Sequence, residues 1–183
     1  MEETSNQSSL VNHAIKWGLI LGGITIALTI ILYAVDYTIM VEFKFLGIIM
    51  LVLIGTTIYA GIDYRKSVGG LLPYGKAFQH GILLLALCGL VGTAFTFLLY
   101  NVIDTELPQK LTDAAVENAQ AMMEKFGTPE DKMEEALAKA RVDTADRFTT
   151  LGMIKGYLFG LIFYAVLAAI TSLIVKKNPP SEI

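Results

Sequence analysis

Four long apolar stretches constrain this sequence more than any other feature. They cover about residues 14–35, 45–62, 81–100 and 156–175, and the last three contain no charged residue. Each can cross a hydrocarbon core of about 30 Å as a helix, which takes roughly 20 residues. Backbone amides in lipid must be hydrogen-bonded within their own segment, and these stretches lack the alternation of barrel strands. The sequence therefore predicts an all-α fold, a polytopic membrane protein with four transmembrane helices in a bundle.

The composition agrees with a membrane protein and excludes several other classes. Apolar residues make up 54% of the chain and charged residues 17%, which is the opposite of the bias that marks disorder. The net charge of −3 leaves no basic footprint for nucleic acid. Cys88 is the one cysteine, so no disulfide can form within the chain. The lipid bilayer is the first partner that the sequence predicts.

Lysine and arginine residues flank the predicted spans unevenly, and this bias predicts the orientation of the chain. The short flanks on one side carry six of them: Lys16, Arg65, Lys66, Lys76, Lys176 and Lys177. The short first loop, on the other side, carries Lys44. Because basic flanks remain in the cytoplasm, both termini are expected to be cytoplasmic.

The segment 101–151, between the third and fourth spans, has eleven acidic and six basic residues, and we expect it to face outward. Apolar residues at spacings of three and four predict one face of an amphipathic helix: Leu111, Ala115, Ala119, Met122 and Phe126. Gly127 should end this helix, and Thr128, followed by Pro129, should cap a second one. We expect a helical hairpin over the outer mouth of the bundle. It is either a solvated excursion or an acidic platform for a partner or a cation.

Sequence patterns for catalysis or metal binding are absent. There is no HExxH, GxSxG, P-loop or GxGxxG motif, and no cysteine pair. His13 and His80 both lie at the cytoplasmic edge but far apart in sequence. The middle of every span lacks the ionisable residues that proton-coupled transporters generally place there. The sequence predicts no catalytic residue, no cofactor and no metal site, and a protein that is not an enzyme.

Glycines near and within the spans follow a spacing that lets membrane helices approach closely. The candidate helix-packing residues are Gly18 and Gly22 in the first span, and Gly152, Gly156 and Gly160 at the fourth. These residues are predicted to pack inside the bundle or, alternatively, to form a homo-oligomer or partner interface. If they pack inside the bundle, Gly156→Ile should damage the protein more than Ala168→Ile.

The loop between the second and third spans, residues 63–81, is the most distinctive stretch of the sequence. Gly69 and Gly70 break the chain, and Pro73 suits the first turn of a helix that continues into the third span. Its candidate functional residues, which we call the collar, are Arg65, Lys66, Lys76 and His80. The collar is expected to anchor the span ends at the headgroups, or to dock a cytoplasmic partner or an anionic lipid head.

This loop also carries a family resemblance. The loop contains a basic pair, then Gly-Gly, and then Tyr-Gly-Lys-Ala-Phe-x-x-Gly at 74–81. It leads into a span that ends Leu-Tyr-Asn-Val-Ile-Asp at 99–104. Over nearly the whole chain, residues 10–177, the sequence resembles the bacterial domain-of-unknown-function family 4199. That resemblance implies a four-span protein of the inner membrane with both termini in the cytoplasm. It implies no activity, and therefore no functional residues to carry over.

Two functions follow as hypotheses. The lack of chemical motifs, together with the glycine grooves and the collar, favours a non-enzymatic subunit or scaffold for a partner protein. The alternative is a small transporter or channel built from a 2+2 helix repeat, because Ala14–Leu21 aligns with Ala77–Leu84 and Leu46–Ile49 with Leu151–Ile154.

Overall fold

A computed structural model describes residues 2–178, with side chains from Ser9 onward. Six helices follow one another: α1 (Glu2–Val35), α2 (Phe43–Ser67), α3 (Tyr74–Leu98), α4 (Leu107–Lys125), α5 (Glu130–Phe148) and α6 (Thr150–Val175). A 3₁₀ turn (Tyr37–Val41) follows α1, and a π-helical turn (Leu99–Ile103) continues α3. The fold class is all-α, as the sequence predicts.

Four of these helical segments are long and apolar enough to cross a membrane: Ser9–Val35, Phe43–Ser67, Tyr74–Ile103 and Thr150–Val175. Each contains one predicted span and extends beyond it, because polar and aromatic residues at the apolar ends continue the helix. Where the first span ends, Asp36 starts the 3₁₀ turn by accepting a hydrogen bond from the Thr38 amide at 2.9 Å.

Apolar side chains on the outer faces of the spans are exposed. Leu51 on α2 is 73% exposed and Phe159 on α6 is 72% exposed, with many similar residues on the same helices. Water-soluble proteins rarely expose contiguous apolar surface of this extent, whereas lipid is a suitable neighbour for it. The chain is therefore a multi-pass membrane protein.

Contacts divide the chain into two compact units, and unit one consists of the residues up to Ile26, Ile49–Gly92 and the residues from Leu158. Parts of α1, α2, α3 and α6 pack together in it. Their shared core consists of small and aliphatic side chains: Ala14, Leu21, Leu53, Ala60, Leu84, Leu85, Cys88, Leu167 and Ala168. Small side chains let these helices approach closely, and van der Waals packing then stabilises their association in lipid.

Unit two consists of Ala27–Ile48 and Thr93–Tyr157, and it contains α4 and α5. Its core is an aromatic and aliphatic cluster: Leu99, Tyr100, Leu107 and Leu111, with Tyr33, Tyr37, Phe95 and Phe148 around them. An ion pair between Arg141 of α5 and Asp113 of α4, 2.5 Å long, joins the two helices. The predicted helical hairpin is thus present.

Asp104 organises the start of α4. Its Oδ1 accepts hydrogen bonds from the amides of Glu106 and Leu107 at 3.1 and 3.0 Å, and its Oδ2 accepts one from the Tyr33 hydroxyl at 3.2 Å. Burial acts to raise the pKa of Asp104, but these bonds and the charge of Lys110 outweigh it and hold the pKa below its usual 3.8. The ionised carboxylate is therefore the form that stabilises this turn.

The buried face of α4 differs from the predicted face in its second half. Leu111 is buried as expected, but Met122 is 40% exposed and Phe126 is 78% exposed. At 1.5 Å per residue, Phe126 lies about 22 Å further along the helix than Leu111, beyond the cluster that covers Leu111. The spacing of apolar residues along α4 predicts which side of the helix is buried. It does not predict how far along the helix the residues that cover this side extend.

The turn between α4 and α5 has the predicted glycine but not the predicted cap. Gly127 adopts φ +69°, a left-handed conformation that closes α4. The Thr128 amide donates back to the Met123 carbonyl at 3.0 Å, whereas the Pro129 carbonyl accepts the first bond of α5, from the Met133 amide. The predicted role of Thr128 as the helix cap is therefore wrong, because Pro129 occupies that position.

Candidate functional site

The loop between α2 and α3 is closed onto the chain that follows α6. Gly69 and Gly70 have φ +88° and +86°, which lets the backbone turn after α2. Leu72 and Lys177 then form an antiparallel bridge, with amide-to-carbonyl distances of 2.9 and 2.8 Å. The loop is thereby held to a second part of unit one.

Arg65 has a different environment from the lysines around it. Its Nη1 donates to the carbonyl oxygen of Val175 at 2.7 Å, so the guanidinium satisfies the C-terminal end of α6. Four further cations are exposed, and we call them the cationic surface: Lys66, Lys76, Lys176 and Lys177. None of these four forms an ion pair with a carboxylate in the described part of the chain. Within the collar, Arg65 therefore stabilises the fold, while the two lysines face outward.

His80, the fourth residue of the collar, is 0% exposed and cannot contact a headgroup or a partner directly. Its Nε2 is 2.9 Å from Nδ1 of His13 on α1. Nε2 of His13 is in turn 3.1 Å from Oδ2 of Asp63 on α2. The side chains are 49% exposed at Asp63 and 16% exposed at His13. Three helices thus contribute one hydrogen-bonded row that leads inward, the Asp63–His13–His80 row.

Aromatic rings pack against this row. The Tyr64 ring stacks on the His80 ring, with 5.1 Å between centroids and 8° between planes. Tyr64 also lies 5.2 Å from His13, and Trp17 lies 6.4 Å from His13. Aromatic rings therefore lie beside both imidazoles of the row.

The inner end of the row is Nδ1 of His80, a buried atom with no hydrogen-bond partner among the described residues. The large majority of buried polar atoms are hydrogen-bonded, so an exception requires an explanation such as an ordered water or a functional role. The Thr57 hydroxyl is unpartnered in the same sense. Thr57 also lies close to the residue after His80, since a Cβ at Gly81 would be 3.7 Å from the Thr57 methyl. The described residues contain no converging group of three metal-ligating side chains.

Sequence reasoning placed His13 and His80 at the same edge of the membrane but did not connect them. The contact joins residues 67 positions apart, and no local pattern encodes it. The burial of His80 did have a signal: Ala77, Gly81 and Leu84 recur at helical spacing on the packed face of α3, and His80 lies among them.

Two of the candidate packing glycines lie where α1 and α3 approach closely. A Cβ built on Gly18 would be 2.9 Å from the Leu84 carbonyl oxygen, and one built on Gly22 would be 2.9 Å from Cγ1 of Val91. A side chain at either position would push the helices apart, so this close contact requires glycine.

The three glycines at the fourth span do not form one packed groove. A Cβ at Gly152 would clash with the Asp146 carbonyl oxygen in the turn from α5 to α6. Gly160 has ordinary contacts with Tyr164 of its own helix, and Gly156 has no described heavy atom within 4 Å of its Cβ position. The prediction that Gly156 packs inside the bundle is wrong, because no described helix faces it. An interface with a second chain stays a prediction.

Comparison with known proteins agrees with the resemblance carried by residues 63–81 and by the end of α3. No curated protein and no solved structure matches the chain. A family model matches residues 16–177, which is most of its length. The chain therefore belongs to the family described as Protein of unknown function (DUF4199).

Proposed function

We propose that this protein is a non-enzymatic subunit or scaffold of the bacterial inner membrane, and that both of its termini are cytoplasmic. The observation that carries the proposal is the cationic surface. Its four lysines lie beside the loop that the Leu72–Lys177 bridge holds in place, and they have no counter-ion among the described carboxylates. The occupant that fits such a surface is an acidic face of a cytoplasmic protein.

The orientation is supported by the charges that flank the four spans. The cationic surface, with Lys16 and Arg65, contributes six basic residues to the short flanks at one set of span ends, while the short first loop, at the other set, carries Lys44. The excess of basic residues in short flanks favours the first set for the cytoplasm. The acidic α4–α5 hairpin would then face away from the cytoplasm.

A fixed loop suits protein docking better than a mobile one, because less conformational entropy is lost when the partner binds. Complementary charge also accelerates encounter and selects the partner. The same lysines attract an anionic leaflet, by about 1 kcal/mol each. Membrane anchoring therefore accompanies docking and must be separated from it experimentally.

The test is purification from the native host in mild detergent, followed by mass spectrometry of the proteins that remain bound. A quadruple variant replaces every lysine of the cationic surface with glutamine. A matched control makes the same change at four exposed lysines elsewhere: Lys125, Lys132, Lys139 and Lys155. Arg65 stays unchanged in both variants, because its bond to Val175 makes it structural.

We expect the wild type and the control to retain one stoichiometric partner with an acidic surface, and the quadruple variant to insert normally but lose it. The wild-type complex should also weaken with salt, since exposed charges are screened over about 10 Å at 0.1 M. Retention of the partner by the quadruple variant would contradict docking at this surface. Recovery of the wild type alone, with solute flux in proteoliposomes, would instead favour the transporter or channel.

A further inference from the structure

We infer that the Asp63–His13–His80 row is a proton-binding site whose two states present opposite hydrogen-bonding groups at its buried end. The inference goes beyond the proposed scaffold function and does not depend on it. It rests on the two linked contacts, on the carboxylate at the exposed end, and on the unpartnered Nδ1 of His80 at the buried end.

In the deprotonated state, one arrangement of hydrogens satisfies both contacts. An ionised carboxylate only accepts hydrogen bonds, so Nε2 of His13 carries the proton donated to Asp63. A neutral imidazole has one N–H, so Nδ1 of His13 is an acceptor and Nε2 of His80 donates to it. Nδ1 of His80 is then a bare lone pair, and the buried end of the row is an acceptor.

Uptake of one proton reverses this order. The proton between the two rings moves from Nε2 of His80 to Nδ1 of His13, and the incoming proton, supplied by water, ends on Nδ1 of His80. His13 becomes an imidazolium that donates from both nitrogens, one of them to the carboxylate of Asp63. His80 stays neutral, but its Nδ1 is now a donor. The net charge of the row changes from −1 to zero, and no charge is left on the most deeply buried ring.

The groups around the row are compatible with this change. On α2, the ring of Tyr64 stacks on His80, and on α1 the charge of Lys16 acts on Asp63. The charged or titratable groups that act on His80 itself are His13 and Asp63. The helix α6 contacts α3 where Ala168 lies beside Gly81. The hydroxyls of Thr171 and Ser172 on α6 donate to carbonyl oxygens of α6 itself. The positive charge therefore forms next to its counter-ion, on His13.

The buried end requires a neighbour that can accept in one state and donate in the other. A hydroxyl or a water molecule has both capacities, whereas a carbonyl or an amide has one. On α2, Thr57 supplies a buried, unpartnered hydroxyl, and its methyl would be 3.7 Å from a Cβ at Gly81, the residue after His80. Protonation of the row thus changes the hydrogen-bonding group that His80 presents in the interior of unit one, from an acceptor to a donor.

The test is nitrogen NMR of the wild-type protein labelled with ¹⁵N-histidine in lipid nanodiscs, titrated between pH 5 and 9. The chain has two histidines, so the spectrum contains four ring nitrogens, and protonated and bare nitrogens have well-separated shifts. At high pH we expect both rings to carry their proton on Nε2. At low pH we expect a doubly protonated His13 and a His80 protonated on Nδ1, with both changes sharing one midpoint.

Two variants sharpen the result. Asp63→Asn replaces a carboxylate that only accepts with an amide that can accept or donate, so the His13 proton is no longer fixed and His13 should become a mixture of two tautomers at high pH. Lys44→Gln removes a charge outside the row and should leave the wild-type pattern unchanged. Separate midpoints for the two rings, or a His80 ring protonated on Nδ1 at high pH, would overturn the inference. The wild-type spectrum decides this even if Asp63→Asn fails to fold.

Discussion

Replacing Gly18 with isoleucine should destabilise the protein far more than the same replacement at Gly156. A Cβ at Gly18 would lie 2.9 Å from the Leu84 carbonyl oxygen and 3.1 Å from Cβ of Leu87, whereas Gly156 has no described atom within 4 Å of that position. A backbone oxygen cannot be relieved by a change of rotamer, so α1 and α3 must separate. Both variants gain the same helix propensity over glycine, so this term cancels in the comparison.

The magnitude follows from the cost of overpacking a well-packed site, which is about 1–3 kcal/mol. Each 1.4 kcal/mol is tenfold, so the two unfolding equilibrium constants should differ by about 5- to 150-fold. The assay is unfolding in mild detergent by increasing amounts of SDS. The reporter is the thiol of Cys88, which is 4% exposed in the folded protein and reacts with a maleimide once the core opens.

Equal unfolding midpoints for the two isoleucine variants would refute the close approach of α1 and α3 at Gly18. A midpoint that is lower for Gly156→Ile would show instead that a second chain covers this face of α6. Gly18→Ala adds the Cβ alone and keeps the comparison possible if the isoleucine variant does not fold.

Three further outcomes are expected. Ala168→Ile should be more damaging than Gly156→Ile in the same assay, by about 1–3 kcal/mol, because Ala168 is 0% exposed in the core. With the native cysteine replaced by serine, a cysteine at Thr128 should react with a membrane-impermeant thiol reagent in intact cells, and one at Ser9 should not; the reverse pattern would overturn the orientation. Because the pKa of Asp104 is lowered on folding, its stabilisation is present above pH 4 and lost as pH falls through the folded value. The protection of the amides at the start of α4 against hydrogen exchange, measured relative to their intrinsic exchange rates, should therefore fall in acid, and Asp104→Asn should abolish that dependence.

The spans and turns of this protein are readable from its sequence because each depends on local chemistry. An uncharged run of eighteen or more residues has few options in lipid except a helix, and each predicted span lies within one long apolar helix. Gly127 ends α4 because its left-handed φ is strained for a residue with a side chain. Gly69 and Gly70 turn the chain after α2 for the same reason.

The contacts that define the candidate site are tertiary, and the sequence does not encode them locally. Arg65 and Lys66 look equivalent in sequence, yet one caps α6 and the other faces outward, because the guanidinium alone lies within reach of Val175. Glycine spacing was also an imperfect guide. Gly89 has no second glycine four residues away, yet it is more tightly packed than Gly156. A Cβ at Gly89 would be 2.5 Å from the Tyr164 ring, whereas one at Gly156 would have no described atom within 4 Å.

The bonds that hold Arg65 and the α2–α3 loop to the end of α6 and to Lys177 also set the order in which this surface can form. Arg65 and its acceptor on Val175 are separated by 110 residues of chain. Translation proceeds at about 5–20 residues per second, so roughly 5–20 s pass between the synthesis of donor and acceptor. During that interval the α2–α3 loop has been synthesised but its partners have not. A nascent chain that lacks α6 and Lys177 therefore has no acceptor for the Arg65 guanidinium and no bridge partner for Leu72.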